Sequence, residues 1–300
     1  MTSPFLGPLG VWGHLDTLDA GGVRGYARRV RLLGYDTLWV PETVGREPFT
    51  LLGMLAADAA ETGLRLGTAI ASIWGRDPQS TRMAALTMAE ATGRRFVLGL
   101  GVSHPHLAEK LRGHEYGRPL TMMREFLEAY HHAVYRGPGT ASEGEPPVLV
   151  AALRDRMTIL AGLAADGAFP YLVTAERVAT LRRRLDATGA ERRPTLAVTL
   201  PVALEADGTE ARAAARAYLV PYLRTPNYRA SWELQGFGEE DWAAPGSDRL
   251  VEAMVAIGDV AAAQARVAEL RAAGADHVAL IPLAADGKTE HLPTLEALAL

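Results

Sequence analysis

Residues 66–104 read LGTAIASIWGRDPQSTRMAALTMAEATGRRFVLGLGVSH, and this stretch decides the fold class. Two short apolar runs, Arg65 to Ala71 and Phe96 to Gly101, flank a segment with helical spacing from Pro78 to Thr92. Asp77 before Pro78 reads as a helix N-cap: its carboxylate can accept an orphan backbone N–H, and proline is favoured at the first helical position, where no N–H is needed. Both flanking runs are apolar almost throughout rather than alternating, which is the pattern of parallel strands covered on both faces. The unit is therefore a βαβ crossover.

Working outward, the same rhythm recurs along the chain. Strands are expected at Leu9 to Gly13, Thr37 to Val40, Arg65 to Ala71, Phe96 to Gly101, Val148 to Ala151, Gly167 to Tyr171, Thr195 to Ala203 and His277 to Ile281, eight in all. Helices are expected at Val23 to Leu33, Pro78 to Thr92, Leu120 to Tyr135, Ala175 to Ala187 and Val260 to Ala273, with Asp259 capping the last and Gly274 ending it. Eight βα units fit a closed (β/α)8 TIM barrel, a single domain over residues 1–300, better than an open doubly wound sheet, which gives a similar rhythm. An insertion after the seventh strand, residues 203–258, breaks the pattern. There Trp232, Phe237 and Trp242 sit among Gly, Pro and acids, and the segment reads equally as a lid or interface or as a surface excursion covered by its own aromatics.

Composition narrows the chemistry. With 31 basic against 35 acidic residues, a net charge of -4, the chain has no electrostatic footprint for nucleic acid or anionic membrane, and a small molecule is the better partner. The absence of cysteine excludes disulfides, zinc–thiolate sites, iron–sulfur clusters and thiol nucleophiles, so redox chemistry would require a bound cofactor. No apolar stretch approaches the roughly 20 residues of a membrane helix, and the start MTSPFLGPLGVW lacks the basic opening and apolar run of a secretory signal; a cytoplasmic location is expected.

In such barrels the active site is built from loops following the strand C-termini. Those positions hold His14; Pro41, Glu42 and Thr43; Ser72, Ile73 and Trp74; Ser103, His104 and His106; Ala152, Leu153, Arg154 and Asp155; and Leu172 to Thr174. The His104 and His106 pair has no further ligands at later strand ends, and no metal is assigned. His114, His131 and His132 fall on or near a helix, away from those ends. Thr174, as N-cap of the sixth helix, and Arg154, opening the fifth, could together hold a phosphate. In the alternative, Thr174 merely caps and Arg154 pairs with Asp155.

The segment from Leu66 to His104 resembles the central part of the luciferase-like monooxygenase superfamily. The similarity extends to GYDTLWVPE (34–42), PPVLVAALRDRMTILAGLAADG (146–167) and IGDVAAAQARVAELRAAGADHVAL (257–280), and it is nearest to the branch that uses coenzyme F420, a deazaflavin. The resemblance implies a cofactor ring in the barrel mouth beside a non-prolyl cis peptide at Ala69-Ile70. It also implies ring contacts from Glu42, Thr43, Ser103 and His104, and a phosphate near Ala152, Leu153, Arg154 and Thr174. Family members are often dimers, so a homodimer is expected. Where many F420 enzymes carry Asp-His after the second strand, this chain has Glu42-Thr43. His104 then becomes the leading catalytic residue, as general acid or ring contact, with Glu42 and His14 as further catalytic candidates; Trp74 and His14 are assigned to the substrate pocket. The implied reaction is hydride transfer between deazaflavin C5 and a small organic substrate. The alternatives are an FMN-dependent monooxygenase supplied with reduced flavin by a partner reductase, and a barrel that binds flavin or deazaflavin without turnover.

Overall fold

The computed structural model describes residues 3–138, 144–204 and 208–299. Its strands are β1 (Leu9–Trp12), β2 (Thr37–Val40), β3 (Arg65–Thr68), β4 (Ala71–Ser72), β5 (Phe96–Gly101), β6 (Val148–Val150), β7 (Gly167–Ala168), β8 (Thr195–Leu204), β9 (Ala256–Gly258) and β10 (His277–Pro282). All pair in parallel in the order β10-β1-β2-β3-β5-β6-β7-β8, and β10 pairs back onto β8, so eight strands close into a barrel. The expected barrel stands, with two adjustments to its strands. The third is split at Ala69-Ile70, which is a cis peptide bond, so that β3 and β4 succeed each other along the edge of β5. The sixth is only two residues long, and Phe169 to Tyr171 already belong to the rim.

The helices are α1 (Ala20–Leu32), α2 (Pro48–Gly53), α3 (Ala56–Thr62), α4 (Pro78–Ala91), α5 (Pro119–His132), α6 (Asp155–Ala164), α7 (Ala175–Asp186), α8 (Gly208–Leu223), α9 (Pro226–Glu233), α10 (Glu239–Trp242), α11 (Asp248–Met254), α12 (Val260–Ala272) and α13 (Leu292–Ala297). Asp77 caps α4 by accepting from the Ser80 N–H at 2.8 Å, and Asp259 caps α12 by accepting from the Ala262 N–H at 2.8 Å. Between β8 and β9 lie α8 to α11, the insertion after the seventh barrel strand.

Both faces of β2 are buried, but in different company. Leu38 and Val40 of β2 pack against the helices, whereas Trp39 points into the barrel with Val97, Leu149, Phe169 and Ala279. Trp39 fits because Gly67 on the adjacent strand has no side chain; a Cβ there would run into the indole. Gly10 likewise leaves room for His277, whose ring a Cβ would approach to 2.8 Å. The indole N–H of Trp39 donates to His277 Nε2 at 3.0 Å, and indole nitrogen can only donate. The other ring nitrogen, Nδ1, must therefore carry the proton that bonds the Gly7 carbonyl at 2.7 Å.

Burial pushes His277 down to about 4, and protonating Nε2 would set a second N–H against that of Trp39. Because the folded value lies below the ordinary 6.5, the unfolded chain binds a proton first as pH falls. Stability is full above pH 6.5 and is lost on the way down to about 4. Urea unfolding followed by tryptophan fluorescence should show a loss of roughly 2 kcal/mol from His277 between pH 6.5 and 5. His277→Gln, which keeps an acceptor for Trp39 but cannot titrate, should flatten that slope; an unchanged slope would move the proton uptake elsewhere.

Candidate active site

The C-terminal mouth of the barrel holds a cavity of about 400 Å³. Of the sequence-assigned residues, His14, Glu42, Thr43, Ala69, Ile70, Ser103, His104, Leu153 and Arg154 line it. Three do not. Ala152 is fully buried. The Thr174 hydroxyl caps α7 by accepting from the Arg177 N–H at 3.3 Å, and its own N–H donates to Gln235 at 2.8 Å. Trp74 packs behind the wall, its indole N–H bonded to the Val102 carbonyl at 2.8 Å and its ring 5.7 Å from that of Tyr116, which does face the cavity. His131 and His132 lie on α5, away from the mouth, bonded to the carbonyls of Ala164 and Glu128.

Glu42 needs a different reading from the one its sequence position invites. Its side chain is only 6% exposed and is held on both oxygens: Oε2 accepts from Arg76 at 2.5 Å and from the Ser72 N–H at 2.8 Å, and Oε1 accepts from Arg112 at 2.5 Å. Arg76 also reaches Glu47 at 3.0 Å. The bridge passes over Gly75, where a Cβ would meet Glu42 Oε1 at 2.7 Å. A carboxylate that accepts from two guanidinium groups is a clamp between three successive loops. Arg112 itself follows a π-helical segment, His106–Leu111, of the kind that often marks functional sites.

The loop after β5 presents His104. Ser103 adopts φ 52°, a left-handed conformation uncommon for a residue with a side chain, and turns the chain off the strand; its carbonyl accepts from the Tyr116 hydroxyl at 3.1 Å. The His104 ring stacks on His106 at 5.9 Å and meets Tyr228 at 5.4 Å, and its Nδ1 is buried with no hydrogen-bond partner among the described residues. Burial, with the neighbouring His106 adding to it, lowers His104 to about 4. Burial thus favours the uncharged ring, a form fitted to accept a proton. Burial also lowers His14, against the opposing pull of Asp16 and Glu290. A second orphan, the Thr199 hydroxyl, lies on the cavity floor.

Arg154 stands at the N-cap of α6, where no side chain caps the helix, and lines the cavity. It does not pair with Asp155, whose oxygens are taken by Arg177 at 2.8 Å and Arg184 at 2.8 Å. Among the described residues its guanidinium makes no ion pair or hydrogen bond, so the cavity wall offers a free cation beside a free helix N-terminus. That is a ready anion site, and Thr174 is not part of it.

The insertion supplies what sequence reasoning missed. Pro221 and Tyr222 from α8, and Thr225, Asn227 and Tyr228 around the start of α9, complete the cavity wall facing Trp12 and Tyr171. Its aromatics Trp232, Phe237 and Trp242 are buried in a core continuous with the barrel interior. A signal was present: Tyr218 and Tyr222 are four residues apart, on one face of a helix.

A profile of the family described as luciferase-like monooxygenase matches residues 5–277, and the chain belongs to that family. It is 32% identical over 111 residues to a Mycobacterium tuberculosis protein provisionally named a coenzyme F420-dependent oxidoreductase, a match covering 37% of this chain and 31% of that protein. The coenzyme F420-dependent tetrahydromethanopterin reductase of Methanopyrus kandleri shares the fold with a TM-score of 0.72 and 16% identity over 98% of this chain and 97% of its own. The oxygenating constituent of 3,6-diketocamphane monooxygenase from Pseudomonas putida, in complex with FMN, gives 0.71 and 14% over 97% and 96%. No helix among the described residues is long and apolar enough to cross a membrane.

Removing one partner from a buried charge pair leaves the others uncompensated, so Glu42→Gln should lower stability by roughly 3 kcal/mol, read as a reduced guanidinium midpoint at unchanged slope. Wild-type stability in that variant would mean that the three loops are held by other contacts.

Proposed function

We propose that this protein is a coenzyme F420-dependent oxidoreductase that transfers a hydride between deazaflavin C5 and a small organic substrate. The observation that carries the reading is one cavity wall that joins a guanidinium without a partner among the described residues, at an uncapped helix N-terminus, to an imidazole whose buried Nδ1 likewise has no partner among them. The first fits a cofactor phosphate, and the second a proton acceptor beside a redox centre. The name given to the mycobacterial relative favours the deazaflavin over FMN.

When bound, the deazaflavin would supply a carbon that gives or takes hydride without activating oxygen. Arg154 and the N–H groups at the start of α6 would hold its phosphate. Ring contacts would come from Thr43, Ser103, Leu153 and the backbone of Ala69 and Ile70, whose carbonyls are fixed by the Trp12 indole at 2.7 Å and the Glu42 N–H at 3.2 Å. Glu42 would act there as the clamp that keeps this edge in place. His104, neutral at pH 7, is matched to taking the proton from a substrate hydroxyl as it becomes a carbonyl; in the reductive direction burial opposes the protonated form it would need.

Titration of the purified protein with F420 and separately with FMN, followed by fluorescence, tests the reading. F420 should bind at micromolar levels and more tightly than FMN; failure of both to bind ends it. Arg154→Ala should weaken F420 binding about tenfold or more, as expected for loss of a charge-assisted bond to phosphate. Unchanged affinity would leave the phosphate to backbone groups or place it elsewhere.

A further inference from the structure

Three phenols meet where α8 crosses the barrel mouth. The Tyr171 hydroxyl lies within hydrogen-bond reach of the Tyr218 hydroxyl on one side and of the Tyr222 hydroxyl, at 3.1 Å, on the other. Three hydroxyls carry three hydrogens, and two contacts use two of them. Tyr218 does not line the cavity and its hydroxyl neighbours are Tyr171 and Tyr222, so leaving its hydrogen unspent would strand a buried donor; it donates within the trio. The remaining hydrogen therefore belongs to Tyr171 or Tyr222, and both line the cavity. Burial raises Tyr222 to about 12 and holds Tyr218 well above its ordinary value, so these two stay protonated at physiological pH.

The surroundings say what could accept that hydrogen. The wall around the two phenols is apolar and aromatic: the Trp12 ring lies 5.6 Å from Tyr171, and the Tyr228 ring 4.9 Å from Tyr222. Glu42 is the carboxylate lining the cavity, and both its oxygens are held by arginines. The free cation, Arg154, is the one the proposed phosphate would occupy.

We infer that Tyr171 and Tyr222 form an oxygen-binding subsite that selects uncharged substrates, with a compact apolar body and one carbonyl or hydroxyl oxygen that accepts the spare phenolic hydrogen. This rests on the proposed function for the identity of the reaction, but the subsite itself is built from hydroxyls of this chain. Such a site rejects an isostere that lacks the oxygen, because the phenol is then left unpaired, and it rejects a carboxylate, which would be desolvated without a cation of its own.

The test uses three probes of similar size, cyclohexanone, methylenecyclohexane and cyclohexanecarboxylate, with binding read from tryptophan fluorescence in protein with and without F420. Cyclohexanone should bind roughly tenfold or more tightly than either of the others. The double variant Tyr171→Phe/Tyr222→Phe should lose that preference, while Tyr218→Phe, which leaves the two cavity phenols in place, should keep it. The inference is overturned by equal binding of ketone and hydrocarbon in both forms, by preference for the carboxylate, or by a double variant that discriminates as the wild type does. F420 binding is scored separately in each variant. Failure of the cofactor to bind while the ketone preference persists counts against the proposed reaction and not against the subsite.

Discussion

Closure of the barrel is the constraint on which the rest of the molecule depends. A parallel strand left at an edge exposes a row of unpaired N–H and C=O groups, and several strands here are too short to hold a sheet by themselves. Pairing β10 with both β1 and β8 removes the edge. It also fixes which residues face inward, and the interior is filled by a few large groups set against glycines, with the Trp39–His277 bond at the centre. With the interior filled, the C-terminal rim becomes the place where loops can converge on a cavity.

At that rim the chain spends its charged groups on holding loops and keeps few for a ligand. Glu42, Arg76 and Arg112 neutralise one another while tying the loops after β2, β4 and β5 together. Asp155 is drawn away from Arg154 by Arg177 and Arg184. What remains at the cavity is the Arg154 guanidinium, the imidazoles of His14, His104 and His106, and a set of phenols and hydroxyls in a largely apolar wall. That balance suits a phosphate-bearing cofactor with an uncharged reaction partner beside it.

The insertion after β8 completes the enclosure. Trp232 donates its indole N–H to the carbonyl of Leu172, a residue held at φ 54°, at 3.3 Å, so the insertion is anchored on the strand end that carries Tyr171. Its aromatic core is shared with the barrel interior, and the tyrosines of α8 and α9 reach the cavity as a consequence of that packing. A segment that buries its own aromatics thus also walls the cavity.

The sequence by itself determined the barrel, because strand burial, helix caps and the alternation of βα units are local properties written in neighbouring residues. It also located the rim residues, since the end of a strand can be read from where an apolar run stops. It did not decide what those residues do. Glu42 reads as a catalytic candidate and ring contact, and only the folded chain shows Arg76 and Arg112, 34 and 70 positions away, closing on it. His104 reads as a general acid or ring contact, and only its burial beside His106 shows which way its titration is pushed. Arg154 and Asp155 look like a pair until α7 takes the aspartate. Charge partnership, desolvation and the meeting of Tyr171 with Tyr222 depend on distances between segments remote in the chain, and only the closed tertiary structure sets those distances.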